Sequence, residues 1–305
     1  MALIAELAGD RRHVVVEGSD FAPLREIVTS YPPGLIEAIE AVKGAYVCDE
    51  IAREEDPSYI ELSLRNYMLP FVAAEGFAGK RLLDFGCGAG ASTLVLARMF
   101  PTTSLVGIDL EARFVEVARR RAAFRDVDAT LLVSPSSDEL PEGFGTFDFV
   151  LLNAVWEHLL PAERPVLAAT LWSLLRPGGV LLVNQTPYRW HPLEYHTTSL
   201  PFVNYLPAFA AKRVARLSPR IKNSPTWSEL QREGIRGGTE REVLSYLPGG
   251  LSLKPRGGRA AIWLNVVAER PMPQLHRTIH RVLARVGVIP DLVLAIQKSR
   301  HSYPS

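Results

Sequence analysis

Two stretches of this sequence concentrate residue types that do chemistry. The first is LLDFGCGAGAST, residues 82–93, where an apolar run ends on Asp84 and side chains are then given up at Gly86, Gly88 and Gly90. Glycines at that spacing let a backbone come close to a ligand and take φ > 0, which other residues resist. The helix expected from about Ala91 adds free N–H groups. Nineteen residues past Gly90, Asp109 closes a second apolar run and offers a carboxylate to ribose hydroxyls. The second stretch is YRWHPLEYH, with Tyr188, Arg189, His191, Glu194, Tyr195 and His196, to which His158 in NAVWEHL adds a further imidazole. Histidine titrates near neutrality, so His196 and His158 are the candidate bases for a hydroxyl proton. His191, Glu194 and His196 also form a loose metal-ligand spacing, though HxxExH is not a specific zinc pattern. Plainer readings stand beside these: a strand-to-helix turn, a proline-ordered loop, and a helix cap at Glu157-His158.

The elements that must position these groups follow from the hydrophobic pattern. RLLDF, SLVGID, ATLLVS, FDFVLLN and VLLVNQT read as strands, separated by helices at STLVLARMF, LEARFVEVARRRAAF and residues 162–175. That alternation means a parallel sheet covered by helices on both faces. In such a sheet ligands bind outside the carboxyl ends of the strands, where strand order reverses. The expected fold is α/β, a Rossmann-like, mostly parallel seven-stranded sheet with a helical N-terminal cap and an insertion after the fifth strand. The expected divisions are a cap over 1–79, a ligand-binding core over 80–186, the insertion over 187–238, the end of the core sheet over 239–270, and a helical tail over 271–305. In this reading AAIWLNVVAE is a long apolar strand and LHRTIHRVLARV a helix in the tail.

The 305 residues are 47% hydrophobic with a formal net charge of +1. They suffice for one large core with an appended subdomain, and their field gives no strong pull toward nucleic acid. Only Cys48 and Cys87 are present, so no disulfide framework can be argued and a reducing cytoplasm is expected. The first residues lack the pattern of a secretory signal, and no window approaches the roughly 20 apolar residues of a membrane span.

Two cofactors suit the glycine turn. A dinucleotide takes G-x-G-x-x-G/A, met loosely by Gly86, Gly88 and Ala91. S-adenosylmethionine takes D/E-x-G-x-G-x-G, met fully by Asp84, Gly86, Gly88 and Gly90. A carboxylate so close repels a pyrophosphate but not an ammonium or a sulfonium. LLDFGCGAGAST, VGIDLEARFVEVAR, FDFVLLNAVWEHL and LLRPGGVLLV come in the order and spacing of class I S-adenosylmethionine-dependent methyltransferases, and resemble the type-11/UbiE-like branch most. The resemblance covers about Lys80 to Gln185. It implies that Asp84, Gly86, Gly88 and Gly90 hold the methionine part, that Asp109 holds ribose, and that Leu110 packs on adenine. It further implies that Ser136 and Ser137 stand where relatives contact adenine, and that Asn153 lines the methionine end.

The acceptor is less constrained. Asn153-Ala154-Val155-Trp156 lacks the prolines that base-amino methyltransferases carry after their fourth strand, so DNA is not expected. Residues 208–236 hold seven Lys/Arg against two Glu, net +5, which is a solvated face or a contact with RNA, a phosphate-bearing glycolipid or a membrane surface. Relatives often place an acceptor lid after the fifth strand. The expected reaction is O-methylation of a small-molecule, sugar or lipid-linked acceptor, with a carbon or nitrogen acceptor, or a binding module without turnover, as alternatives. Peripheral membrane contact fits the same residues.

Overall fold

The computed structural model describes residues 2–7, 9–16, 24–136, 140–141, 143, 145–221, 223–270 and 274–300. They fall into two compact units, Met1–Arg65 with Ala74–Glu142, and Asn66–Ala73 with Gly143–Ser305. The first unit opens with an antiparallel meander, β1 (Ala2–Leu7), β2 (Arg11–Val16) and β3 (Glu26–Thr29). Helices α1 (Pro33–Lys43), α2 (Val47–Glu55) and α3 (Ile60–Met68) follow. The parallel strands β4 (Arg81–Phe85), β5 (Ser104–Asp109) and β6 (Ala129–Val133) then alternate with α4 (Ala91–Met99) and α5 (Ala112–Phe124).

The N-terminal segment, expected from the sequence to be a helical cap, therefore also contains a three-stranded meander. Its β-branched HVVV run pairs on both sides as β2, because such side chains pack well on a pleated surface. Val14 and Val16 of β2 join Ile36 and Ile39 of α1, Val47 and Ile51 of α2, and Ala89 and Val117 in one buried cluster.

At the centre of the first unit is a charge network. Arg121 of α5 is fully buried. It donates to Glu50 Oε1 at 2.8 Å, to the Tyr31 hydroxyl at 3.0 Å and to the carbonyl of Ala89 at 3.0 Å. Burial alone would push the Glu50 carboxyl up, but Arg121, Lys43 and Arg53 hold it below its ordinary value. A buried guanidinium is tolerated only when its donors are satisfied in this way.

The second unit contains β7 (Phe147–Asn153), α6 (Glu163–Leu174) and β8 (Leu175–Pro187), with β7 and β8 parallel. The insertion folds as the two-residue strands β9 (Leu193–Glu194) and β10 (Leu200–Pro201), then α7 (Ala208–Ala215) and α8 (Trp227–Arg232). After it come α9 (Glu240–Ser245), β11 (Gly250–Ser252), α10 (Gly258–Glu269), α11 (Gln274–Arg285) and β12 (Asp291–Lys298).

Two readings of the C-terminal third are corrected. AAIWLNVVAE lies in α10, not in a strand, and the strand that pairs antiparallel with β8 is β12, within the stretch expected to be a helical tail. Both segments are continuous apolar runs, which periodicity cannot assign. Length separates them, with 12 residues in the helix and 8 in the strand.

The seven-stranded sheet runs β11-β12-β8-β7-β4-β5-β6 and is mostly parallel, with β12 and β11 antiparallel. Strand order reverses at β4, so the glycine turn leaving its carboxyl end is the switch point of the sheet. No helix among the described residues is long and apolar enough to cross a membrane.

Candidate functional site

The glycine turn lies between β4 and α4. Gly86, Gly88 and Gly90 all have positive φ, at 76°, 53° and 89°. Their roles differ. A Cβ on Gly90 would stand 2.8 Å from the Cβ of Ala118, so this glycine lets α4 start hard against α5. A Cβ on Gly88 would meet nothing within 4 Å, so there the missing side chain leaves room for a ligand.

Asp84 is buried at the end of β4. Its Oδ2 accepts from Ser92 Oγ and Thr93 Oγ1, each at 2.7 Å, while Oδ1 is buried with no partner. Burial pushes this carboxyl up, against the two hydroxyl bonds, and Asp109 adds to the rise. An orphaned buried carboxylate oxygen calls for a donor or a cation. Asp109 ends β5, where Oδ2 accepts from Gly88 N at 2.8 Å and Oδ1 from Glu111 N at 3.0 Å. Each oxygen keeps a lone pair for a hydroxyl. Beside it Leu110 is 49% exposed, an apolar side chain open to a flat partner. Ser136 follows β6, where its carbonyl accepts from Ser134 Oγ at 3.0 Å; Ser137 lies outside the described residues.

These features fit S-adenosylmethionine. Asp84 would face its ammonium, Gly86 and Gly88 its methionine chain, Asp109 its ribose and Leu110 its adenine. Asp109→Ala is therefore expected to weaken S-adenosylmethionine binding at least about tenfold by calorimetry, since charge-assisted bonds are worth about 1.5–3 kcal/mol. It would also release the N–H of Gly88. Unchanged affinity in a cooperatively folding variant would remove Asp109 from the site.

In the second unit the carboxyl ends of β7 and β8 carry buried amides that lack partners. Asn153 donates to Gln185 Oε1 at 3.2 Å, but its Oδ1 is unpaired, as are both polar atoms of Asn184. Ala154 and Gln185 hold φ of 57° and 56°, strain that persists only where the surroundings impose it. Asn184 and Gln185 escaped the sequence reading. Their signal was a polar pair ending an apolar strand.

Just beyond β7, the turn 156–158 carries Glu157 and His158. Glu157 is fully buried; its Oε2 accepts from Thr186 Oγ1 at 2.9 Å. Its Oε1 has no hydrogen bond and faces the Nε2 of His158 at 3.8 Å and of His196 at 3.9 Å. The Nδ1 atoms of the two histidines lie against consecutive carbonyls, Arg232 O at 2.6 Å and Glu233 O at 3.0 Å. A carbonyl only accepts, so each Nδ1 carries a proton, and each ring turns its Nε2 toward Glu157. Burial pushes the Glu157 carboxyl up, against the pull of both histidines, the backbone and Thr186. The ligand atoms of these three residues lie within 4.8 Å of one another, so the cluster can hold a proton or a divalent cation. The carbonyls that orient the rings are held by α8, which starts on a capping box of Thr226 and Glu229.

The metal-ligand spacing read from the sequence is not assembled. Glu194 spends its carboxylate on the backbone N–H groups of His196, Thr197 and Thr198 and on the Thr198 hydroxyl. His191 is buried with Nδ1 on Leu193 O at 2.8 Å. Tyr195 is tied to Asp291, and burial followed by that carboxylate pushes its hydroxyl well above its ordinary value. Only His196 of that stretch reaches the cluster, and the partner it meets is Glu157.

Residues 82–179 match the family model described as a methyltransferase domain. The chain is 36% identical over 106 residues to the ribosomal protein L11 methyltransferase of Ralstonia pickettii, covering 35% of this chain and 32% of that protein. It is 34% identical over 111 residues to the ubiquinone biosynthesis O-methyltransferase of Mesorhizobium japonicum, covering 36% and 43%. The match spans less than half of either relative's length. Among solved structures, PKMT2 from Rickettsia typhi in complex with AdoHcy aligns over 83% of this chain and 54% of its own, with 15% identity and a TM-score of 0.48.

Proposed function

We propose that the chain, whose residues 82–179 match a methyltransferase domain and resemble the UbiE-like class I S-adenosylmethionine-dependent enzymes, methylates a hydroxyl of a small-molecule, sugar or lipid-linked acceptor. The cofactor supplies an electrophilic methyl on a sulfonium. The chain has then to hold the acceptor in line, which alone lowers the barrier by several kcal/mol, and to take the hydroxyl proton.

The observation that carries the hydroxyl reading is the Glu157, His158 and His196 cluster. A proton arriving at either Nε2 makes an imidazolium beside a buried carboxylate, and the Nδ1 contacts keep both rings turned the right way. General bases of this kind contribute typically 10²- to 10⁴-fold. A carbon acid already activated, or an amine that is neutral at the working pH, has less need of such a cluster.

A lipid-linked acceptor is supported by the insertion. Trp190, Phe202, Tyr205, Phe209 and Leu217 are exposed, Phe202 at 63% with φ of 61°, and Lys212, Arg213, Arg216 and Arg220 lie on the same segment. Aromatic and basic residues together suit the surface of an anionic membrane. The two cysteines are free and buried, which supports a reducing compartment.

The test is to incubate the protein with cell extract and isotopically labelled methyl donor, then identify the labelled product by mass. Label on an oxygen is expected. Label on carbon or nitrogen would sink the hydroxyl reading, and S-adenosylmethionine binding without any labelled product would leave a binding module.

A further inference from the structure

Two arginines in the second unit lie on backbone segments bonded to one another. Arg189 follows β8, and Arg236 lies in the loop between α8 and α9. Both are half-buried, and neither forms a salt bridge among the described residues. The acid that bears on Arg189, Glu242, is paired with Arg164 at 2.7 Å.

The two guanidiniums are built into place in the same way. Arg189 donates to the carbonyl of Asn204 and lies 4.6 Å over the ring of Trp190. Arg236 donates to the carbonyl of Leu206, two residues further on, and lies 4.6 Å over the ring of Trp227. Their backbones are stitched to one another: Gly238 N donates to Pro187 O at 3.0 Å, and Arg189 N donates to Gly238 O at 2.9 Å. Gly237 has no room for a side chain, since a Cβ there would fall onto the Pro187 carbonyl. Arg236 itself holds φ of 74°, a strained conformation for a bulky residue.

Such an arrangement is unfavourable by itself. Burial, and then like-charge repulsion from Arg236, lower the pKa of Arg189 to about 10. One buried donor, Arg236 Nε, has no partner. Two stacked, pre-positioned forks with unclaimed N–H groups are the chemistry that recognises a planar or tetrahedral oxyanion.

The same loop meets the proton-handling cluster. A Cβ on Gly234 would stand 2.6 Å from His196 Nδ1 and 3.1 Å from Glu157 Cγ, and Glu233 O holds the His196 ring. Arg236 comes two residues later.

We propose that Arg189 and Arg236 form an oxyanion subsite that binds a carboxylate or phosphate group of the acceptor whose hydroxyl the cluster deprotonates. Calling that ligand the acceptor rests on the methyl-transfer reading; the binding of the anion does not.

The test uses the full chain at constant ionic strength, with chloride replaced in one arm by inorganic phosphate and in another by glucuronate. Near tenfold saturation the matching anion should raise the thermal midpoint by about 2–4 °C. A response to phosphate alone identifies a phosphate-bearing acceptor, and a response to glucuronate alone a carboxylate-bearing one. The Arg189→Gln/Arg236→Gln double variant should lose the response while keeping S-adenosylmethionine affinity. If that variant does not fold, Arg189→Lys/Arg236→Lys, which keeps charge but not the fork, should show a reduced response. No shift with either anion in the unaltered protein, or an equal shift in the variants, overturns the subsite. Labelled-methyl transfer is assayed on the same preparation, so an anion response without transfer retires the methyl-transfer reading and leaves the subsite standing.

Discussion

Gly88→Val is expected to abolish S-adenosylmethionine binding while the protein still unfolds in one cooperative step. The open space at Gly88 faces no protein atom within 4 Å, so the added side chain enters it without striking the fold. On the proposed reading, what it obstructs is the methionine chain of S-adenosylmethionine. A β-branched residue at φ of 53° also costs about 1–3 kcal/mol of strain, so a lower melting midpoint is expected as well. Calorimetry with S-adenosylmethionine reads the first effect and thermal unfolding the second. Normal affinity in this variant would mean that the turn merely joins a strand to a helix. Gly90→Ala provides the contrast, since its methyl would collide with Ala118 and should damage folding in addition to binding.

The second large effect belongs to the histidines. His196→Ala should lower kcat by about 10²- to 10⁴-fold and change S-adenosylmethionine affinity less than about threefold, under ~0.7 kcal/mol. His158→Ala should act in the same sense, because both rings face one carboxylate oxygen. Glu157→Gln keeps the shape and the contact with Thr186, yet removes the charge that would stabilise an imidazolium. It should lower kcat too.

Its effect on stability has the opposite sign. The Glu157 carboxyl is pushed up from 4.5, so the native state keeps its proton to higher pH than the unfolded chain does. The stability this confers is fully present below about 4.5 and is lost as pH rises through the folded value. The uncharged variant therefore gains on the unaltered protein as pH rises, and denaturant titrations at pH 4 and pH 7 measure that gain. Full activity in both histidine variants would defeat the proton-transfer reading. Loss of turnover on dialysis against a chelator, restored by a divalent cation, would assign the same three atoms to a metal.

Much of the first unit was legible in the sequence because its signals are local. Asp84, Gly86, Gly88 and Gly90 sit within seven residues, and Asp109 ends the next apolar strand. Strand, turn and helix follow from neighbours in the chain. The cluster in the second unit was half legible. The sequence offers His158 and His196 as bases, but they lie 38 positions apart, and Glu157 reads as part of a helix cap. Nothing local shows that Glu157 points inward to meet His196, because that meeting depends on the fold of the insertion. For the same reason His191, Glu194 and His196 looked like a ligand set and are not. Glu194 lies two residues from His196 in sequence, and the turn geometry spends its carboxylate on backbone N–H groups. The misassignment of AAIWLNVVAE to a strand, and the strand at residues 291–298 that the sequence reading lacks, have a different origin, since an apolar run carries no period to read.

Arg121 bears on where this protein can be cut. Its guanidinium joins the Glu50 carboxylate of α2 to the carbonyl of Ala89, inside the glycine turn, and Ala89 and Val117 share their buried cluster with α1 and α2. A fragment beginning at Lys80 would keep the whole stretch that matches the methyltransferase-domain model. It would also bare the apolar faces of Ala89 and Val117, and Arg121, with its acids gone, would be free to swing into water and let go of the turn. The recognisable stretch is thus shorter than the smallest piece that can hold the turn in shape. A gene fusion or domain swap that respects only the boundary of similarity would carry the cofactor residues across without the part that fixes their backbone.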